Sequence, residues 1–123
     1  MEQIYHTLVH FDIPAENVEK MRKFYSGLFG WKIERVEGPI EYYLIETAPE
    51  GKGVGGGMAK KEEPSQRPMN YILVESVDEY SKKVEELGGK IIIPKQTVPG
   101  MGHLAIALDP EGNTFGLWEA ISP

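Results

Sequence analysis

One order of elements is written twice along this chain of 123 residues: a strand, an amphipathic helix closing at glycine, then three further strands. The first copy opens on VHFDIPAENVEKMRKFYSGLFGWKI and the second on YILVESVDEYSKKVEELGGKI, each helix ending in Leu shortly before Gly and Lys-Ile. IEYYLIE then matches MGHLAIA, and VGGGMA matches FGLWEA. An offset of 61 superposes Ile13 on Val74, Tyr42 on His103 and Gly55 on Gly116. One helix covers only one face of a four-stranded sheet, so the other face of each copy must meet its counterpart or another subunit. The expected class is α+β: two βαβββ modules in one domain spanning 1–123, with module 1 at 5–59, a linker at 60–68 and module 2 at 69–120.

Within the modules, alternation over 5–13 sets Val9, Phe11 and Ile13 against the following helix and turns His6, Leu8, His10 and Asp12 the other way. Asn17 is the expected helix N-cap and Gly30 its end, with Val18, Met21, Tyr25 and Leu28 as the buried stripe. Strands are expected over 31–36, 41–47 and 53–59. KKEEPSQRP carries charge, proline and no periodicity, which marks it as the linker. In the second copy Ser76 and Glu79 fit a capping box, Val77, Tyr80, Val84 and Leu87 form the stripe, and Gly88 ends the helix. A hairpin over 102–108 and 114–120 turns at DPEGN.

Composition narrows the functional classes. The chain has no Cys, which removes disulfides, thiolate metal sites and cysteine nucleophiles. A net charge of −6 opposes nucleic-acid binding, because phosphate contacts need clustered Lys and Arg. No apolar run approaches a membrane span and no basic-then-apolar leader opens the chain, so the expected compartment is the cytoplasm. GxSxG, HExxH and phosphate-loop patterns do not occur, and GVGGGMA opens no helix.

The combination of FYSGLFGW following a strand that ends in IPA, LGGKI, and DPEGN followed by FGLWEA resembles the vicinal oxygen chelate superfamily, the glyoxalase, bleomycin-resistance and extradiol-dioxygenase group. The resemblance covers essentially the whole chain and points to a glyoxalase-related branch of unassigned activity. It implies curled mixed sheets from the two modules around a shared cleft, and a homodimer, although no exposed apolar stripe in the sequence demands one. Metal-dependent members hold a divalent ion with a His or Glu from the first and fourth strand of each module. Here those positions fall at Leu8, Gly55, Met69 and Gly116, none of which offers a nitrogen or oxygen side-chain donor. No cofactor is therefore expected, and a divalent metal is disfavoured.

A site built anew faces a distance limit. His6 and His10 share a face but lie about 13 Å apart at roughly 3.3 Å per residue, too far to chelate one ion. His10, His103 and Glu46, all inward by alternation, form the weak catalytic or metal triad that remains. Glu119, three residues beyond Gly116, faces the opposite way and is expected to be structural.

The helix-free faces carry a mixed aromatic, aliphatic and polar lining, with Gly55, Gly57, Ala107 and Gly116 leaving room. The expected ligand-binding residues are His10, Tyr42, Tyr71, His103 and Trp118. The leading expectation is a protein that binds a small organic molecule in the cleft without the ancestral metal. Two alternatives stand beside it: a metal-dependent lyase, isomerase or dioxygenase using a displaced site, and a non-catalytic interaction module with a closed cleft.

Overall fold

A computed structural model describes residues 5–121 and divides them into two compact units, His10–Met69 and the stretch 5–9 joined with 70–121. The elements follow the order β1 (Leu8–Ala15), α1 (Val18–Phe29), β2 (Lys32–Val36), β3 (Tyr42–Glu46), β4 (Gly56–Lys60), β5 (Met69–Leu73), α2 (Val77–Glu86), β6 (Lys90–Val98), β7 (Gly102–Leu108) and β8 (Thr114–Ala120). The fold is α+β, built from two βαβββ modules. Residues 61–68 hold no helix or strand.

In the first unit the strands lie in the order β2, β3, β4, β1, with β1 parallel to β4 and the other pairs antiparallel. Asn17 starts α1 because its side-chain oxygen accepts the Lys20 N–H at 3.0 Å, and Gly30 ends it in the left-handed conformation at φ 73°. One sheet face packs on α1 around Ile13, Ala15, Val18, Ile33, Ile45 and Met58, with Phe11, Met21, Tyr25 and Trp31 closing the margin. Leu28, expected in the buried stripe, is instead 57% exposed. Trp31 takes its place, stacked flat on Tyr25 at 5.3 Å. Strand β1 also starts three residues later than expected and runs on to Ala15.

In the second unit the order is β5, β8, β7, β6, with β5 parallel to β8 and the rest antiparallel. Val74, Val77, Ala105 and Leu117 form its core, with Tyr80, Val84 and Phe115 against them. Ser76 caps α2 by accepting the Glu79 N–H at 3.1 Å, but the Glu79 carboxylate turns to Lys83 Nζ at 3.4 Å rather than back to the cap. Leu87, the expected end of the stripe, is 81% exposed beyond the last turn. Pro94 lies within the second of two register shifts of β6 on β7, between Ile93 and Gln96, where a residue without an N–H is tolerated. At the β7–β8 turn the Asp109 carboxylate accepts the N–H groups of Glu111 and Asn113, each at 2.9 Å, and Gly112 takes φ 87°.

The repeat is exact in two strands and shifted in a third. Phe11 pairs with Gly56 and Ile72 with Leu117, so the offset of 61 holds for the first and fourth strands of each module. Tyr42 pairs with Ala59 whereas Gly102 pairs with Ala120, which puts the third strand at an offset of 60. A one-residue slip turns every side chain of a strand to the other face. His103, Ala105 and Ala107, expected on the helix-free face, therefore lie on the α2 side.

Candidate functional site

On the helix-free face of the first unit, alternation brings His10 and Asp12 of β1 alongside Tyr42 of β3. His10 Nε2 lies 3.0 Å from Asp12 Oδ1 and 3.2 Å from the Tyr42 hydroxyl, and that hydroxyl donates to Asp12 Oδ1 at 3.2 Å. All three side chains are half-buried. The strand between them presents Gly57 at this point, where a β-carbon would overlap the Tyr42 hydroxyl and ring. Gly57, expected to leave room in a cavity, is the seat of Tyr42.

Burial raises the Tyr42 phenol well above its ordinary value, and the charge and hydrogen bond of Asp12 add to the rise. The phenol thus keeps its proton at neutral pH and serves as a hydrogen-bond donor. Asp12 holds one imidazole nitrogen of His10, which orients the ring as a carboxylate does in a proton-transfer dyad. Glu46 shares the face by alternation but stands exposed at the far end of β3. Asp12 is the member that was not among the expected ligand-binding residues; its signal was the i, i+2 spacing to His10, which puts two neighbouring polar groups on one strand face.

On the corresponding face of the second unit, Tyr71 pairs with Gly116 and Trp118 with both Leu73 and Leu104. A β-carbon on Gly116 would run into the Tyr71 ring, and one on Gly102 would stand 2.6 Å from Trp118. Both glycines are roofed by aromatic rings, so Gly116 does not leave the room expected of it. Tyr71 is buried and Trp118 half-buried.

His103 belongs to neither constellation. It pairs with Glu119 on the α2 side, and its Nδ1 lies 2.9 Å from the Thr97 hydroxyl. Glu119 shares that side and accepts the Val77 N–H at the start of α2 at 2.8 Å, the structural part expected of it. The inward alternation that joined His103 to His10 and Glu46 fails with the register of β7.

The four positions expected from the resemblance to hold a metal do not fit one: Leu8, Gly55, Met69 and Gly116 offer no nitrogen or oxygen side-chain donor, and the Tyr71 ring bars a longer side chain at 116. Among the described residues no three His, Asp or Glu side chains are grouped to hold an ion. Nor is any helix among them long and apolar enough to cross a membrane.

Comparison with known proteins agrees with this architecture. The chain is 28% identical over 123 residues to the anthracycline biosynthesis protein DnrV of Streptomyces peucetius, covering 88% of this chain and 45% of that one, so it spans less than half of that relative's length. A glyoxylase-like domain-containing protein of Didymella fabae is 31% identical over 112 residues, covering 86% of this chain and 88% of its own. Among solved structures, the hypothetical protein BH1468 of Bacillus halodurans C-125 superposes with a TM-score of 0.74 at 17% identity, covering 96% of both chains, a likeness of fold. The sequence profile of one family matches residues 7–117, and the chain belongs to that family, the Glyoxalase/Bleomycin resistance protein/Dioxygenase superfamily.

Proposed function

We propose that this protein binds a small organic molecule on the helix-free face of its first unit, anchored by His10, Asp12 and Tyr42, without the metal that other members of the superfamily hold. The supporting observation is the convergence of these three half-buried side chains within 3.0–3.2 Å of one another on a face that no helix of their unit covers. A carboxylate beside a phenol whose proton it already holds suits a ligand carrying a hydroxyl or ammonium group, which donates to Asp12 and to the Tyr42 oxygen. The relatives, a glyoxylase-like protein and an anthracycline biosynthesis protein, are in keeping with small organic compounds. Tyr71 and Trp118 add aromatic surface on the equivalent face of the second unit.

The test is a thermal-shift screen of hydroxylated and amine-bearing small molecules, followed by titration of each hit against His10→Ala, Asp12→Asn and Tyr42→Phe. Each substitution is expected to weaken binding about tenfold or more, the scale of one charge-assisted hydrogen bond. Hits whose affinity ignores all three changes would overturn the site. Elemental analysis of protein purified without chelators addresses the metal, and a stoichiometric ion that raises the melting temperature would overturn that part.

We further propose that the protein acts in the cytoplasm as a homodimer. Around the last turns of α1, Phe24, Leu28 and Phe29 are 56%, 57% and 59% exposed, an apolar ridge that supports self-association. The sequence reading missed it by assigning Leu28 to the core.

A further inference from the structure

The two modules fill the space between helix and sheet in different ways. In the first, Tyr25 and Trp31 stack with their planes 5° apart, and Phe11 approaches Trp31 at 5.9 Å. Aligning the helices on their first residues, Val18 and Val77, puts Val84 in the place of Tyr25. Aligning the next strands on Lys32-Ile33 and Lys90-Ile91 puts Gly89 in the place of Trp31. The offset that strand pairing supports puts Ile72 in the place of Phe11. Three rings of the first module are thus two aliphatic side chains and a hydrogen atom in the second.

Two of those three positions, Ile72 and Val84, line a pocket that opens to the surface. It measures about 230 Å³, lies between α2 and its own sheet, and is walled by Ile72, Val74, Val84, Phe115 and Leu117. His6, Tyr80, Lys83 and Leu87 line the rest of it, and the exposed His6 and Leu87 place its mouth at the surface. Walls this apolar give water few partners.

We infer that this cavity is a second binding site, for a neutral planar aromatic compound of one or two rings. Size sets the first limit. A dry cavity of about 150 Å³ takes benzene and drug-sized ligands need about 300 Å³ or more, so this one fits a phenol or an indole. Shape gives the second, since Phe115, Tyr80 and His6 offer ring faces and edges and the module's twin carries rings, Phe11 and Tyr25, at the positions of Ile72 and Val84. Charge gives the third. His6 Nε2 is held by Glu75 at 2.7 Å and Lys83 Nζ by Glu79 at 3.4 Å, so both basic groups at the mouth are already engaged and a ligand carboxylate meets two acidic neighbours. This site lies on the α2 side of the second unit, apart from His10, Asp12 and Tyr42, and stands or falls independently of them.

The test uses the full chain with isotope-labelled Ile, Val and Leu methyl groups, titrated with indole, with indole-3-acetate and with cyclohexanol. Indole is expected to shift the methyl signals of Ile72, Val84 and Leu117 saturably, with the other two about tenfold weaker. Val84→Phe, which returns a ring to the place of Tyr25, is expected to weaken indole binding by at least about tenfold. His10→Ala should leave it unchanged. Absence of a saturable shift at these three methyls in the wild-type protein overturns the inference, whatever the folding of the Val84 variant. So does equal affinity for all three probes, or a response confined to the first unit.

Discussion

At residue scale, the Tyr42 phenol ties ionisation to stability. Its proton is held more tightly in the folded protein than in the unfolded chain, so its contribution is complete below the ordinary tyrosine range and is lost as pH rises through it. Denaturant unfolding measured from pH 7 to about pH 11 should therefore show a loss of stability setting in near pH 10, the ordinary tyrosine value, that is smaller in Tyr42→Phe. Identical pH profiles for the two proteins would refute the coupling. Asp109 runs in the opposite direction. Hydrogen bonds from Asn113 and Glu111 hold its carboxyl below the usual range, so its stabilising effect is present above that range and fades as pH falls through its folded value. Asp109→Ala should lower the melting temperature at pH 7, and the gap from wild type should narrow on acidification below about pH 4. A gap independent of pH would show that the turn does not use the charge.

At the scale of elements, the glycines of the last strands join sequence to packing. Gly116 sits beneath the Tyr71 ring, so Gly116→Ala forces either β8 or the ring to move. Overpacking of this kind costs about 1–3 kcal/mol, and trimming the ring in Tyr71→Ala should make the second change nearly free. A double-mutant cycle read by denaturant unfolding checks this, and simple additivity would refute it. Helix caps, the DPEGN turn and the registers of β1 with β4 and β5 with β8 were legible because each rests on local chemistry or on the duplicated pattern. The facing of His103 was not. It depends on where β7 begins its pairing with β8, and a hairpin loop can absorb one residue without leaving a mark in composition. The same blind spot misread Gly57 and Gly116 as empty space, since glycine in a strand looks alike whether it borders a cavity or a ring. Of the candidate site, alternation put His10, Asp12 and Tyr42 on one face, where they lie 3.0–3.2 Å apart, but Asp12 was not among the expected ligand-binding residues.

At the scale of the whole molecule, the unresolved balance lies between the core of each unit and the apolar surface left outside it. In α1 the choice of Trp31 over Leu28 for the core follows from area and shape: an indole stacked on Tyr25 buries more apolar surface than a leucine could, and the chain turn at Gly30 brings it there. Leu28 is then turned outward beside Phe24 and Phe29, where three large apolar side chains face solvent in the isolated chain. Single exposed leucines need no explanation, but a contiguous group on one helix does. Replacing Phe24 and Leu28 together by Lys leaves the inward-facing Val18, Met21 and Tyr25 untouched, so each chain should keep its fold while losing the ridge. Sedimentation velocity of the wild type at micromolar concentration should report a dimer, and the double variant a monomer with unchanged far-ultraviolet circular dichroism. A wild-type protein that sediments as a monomer across this range would refute the dimer. A double variant that stays dimeric would move the interface elsewhere on the chain.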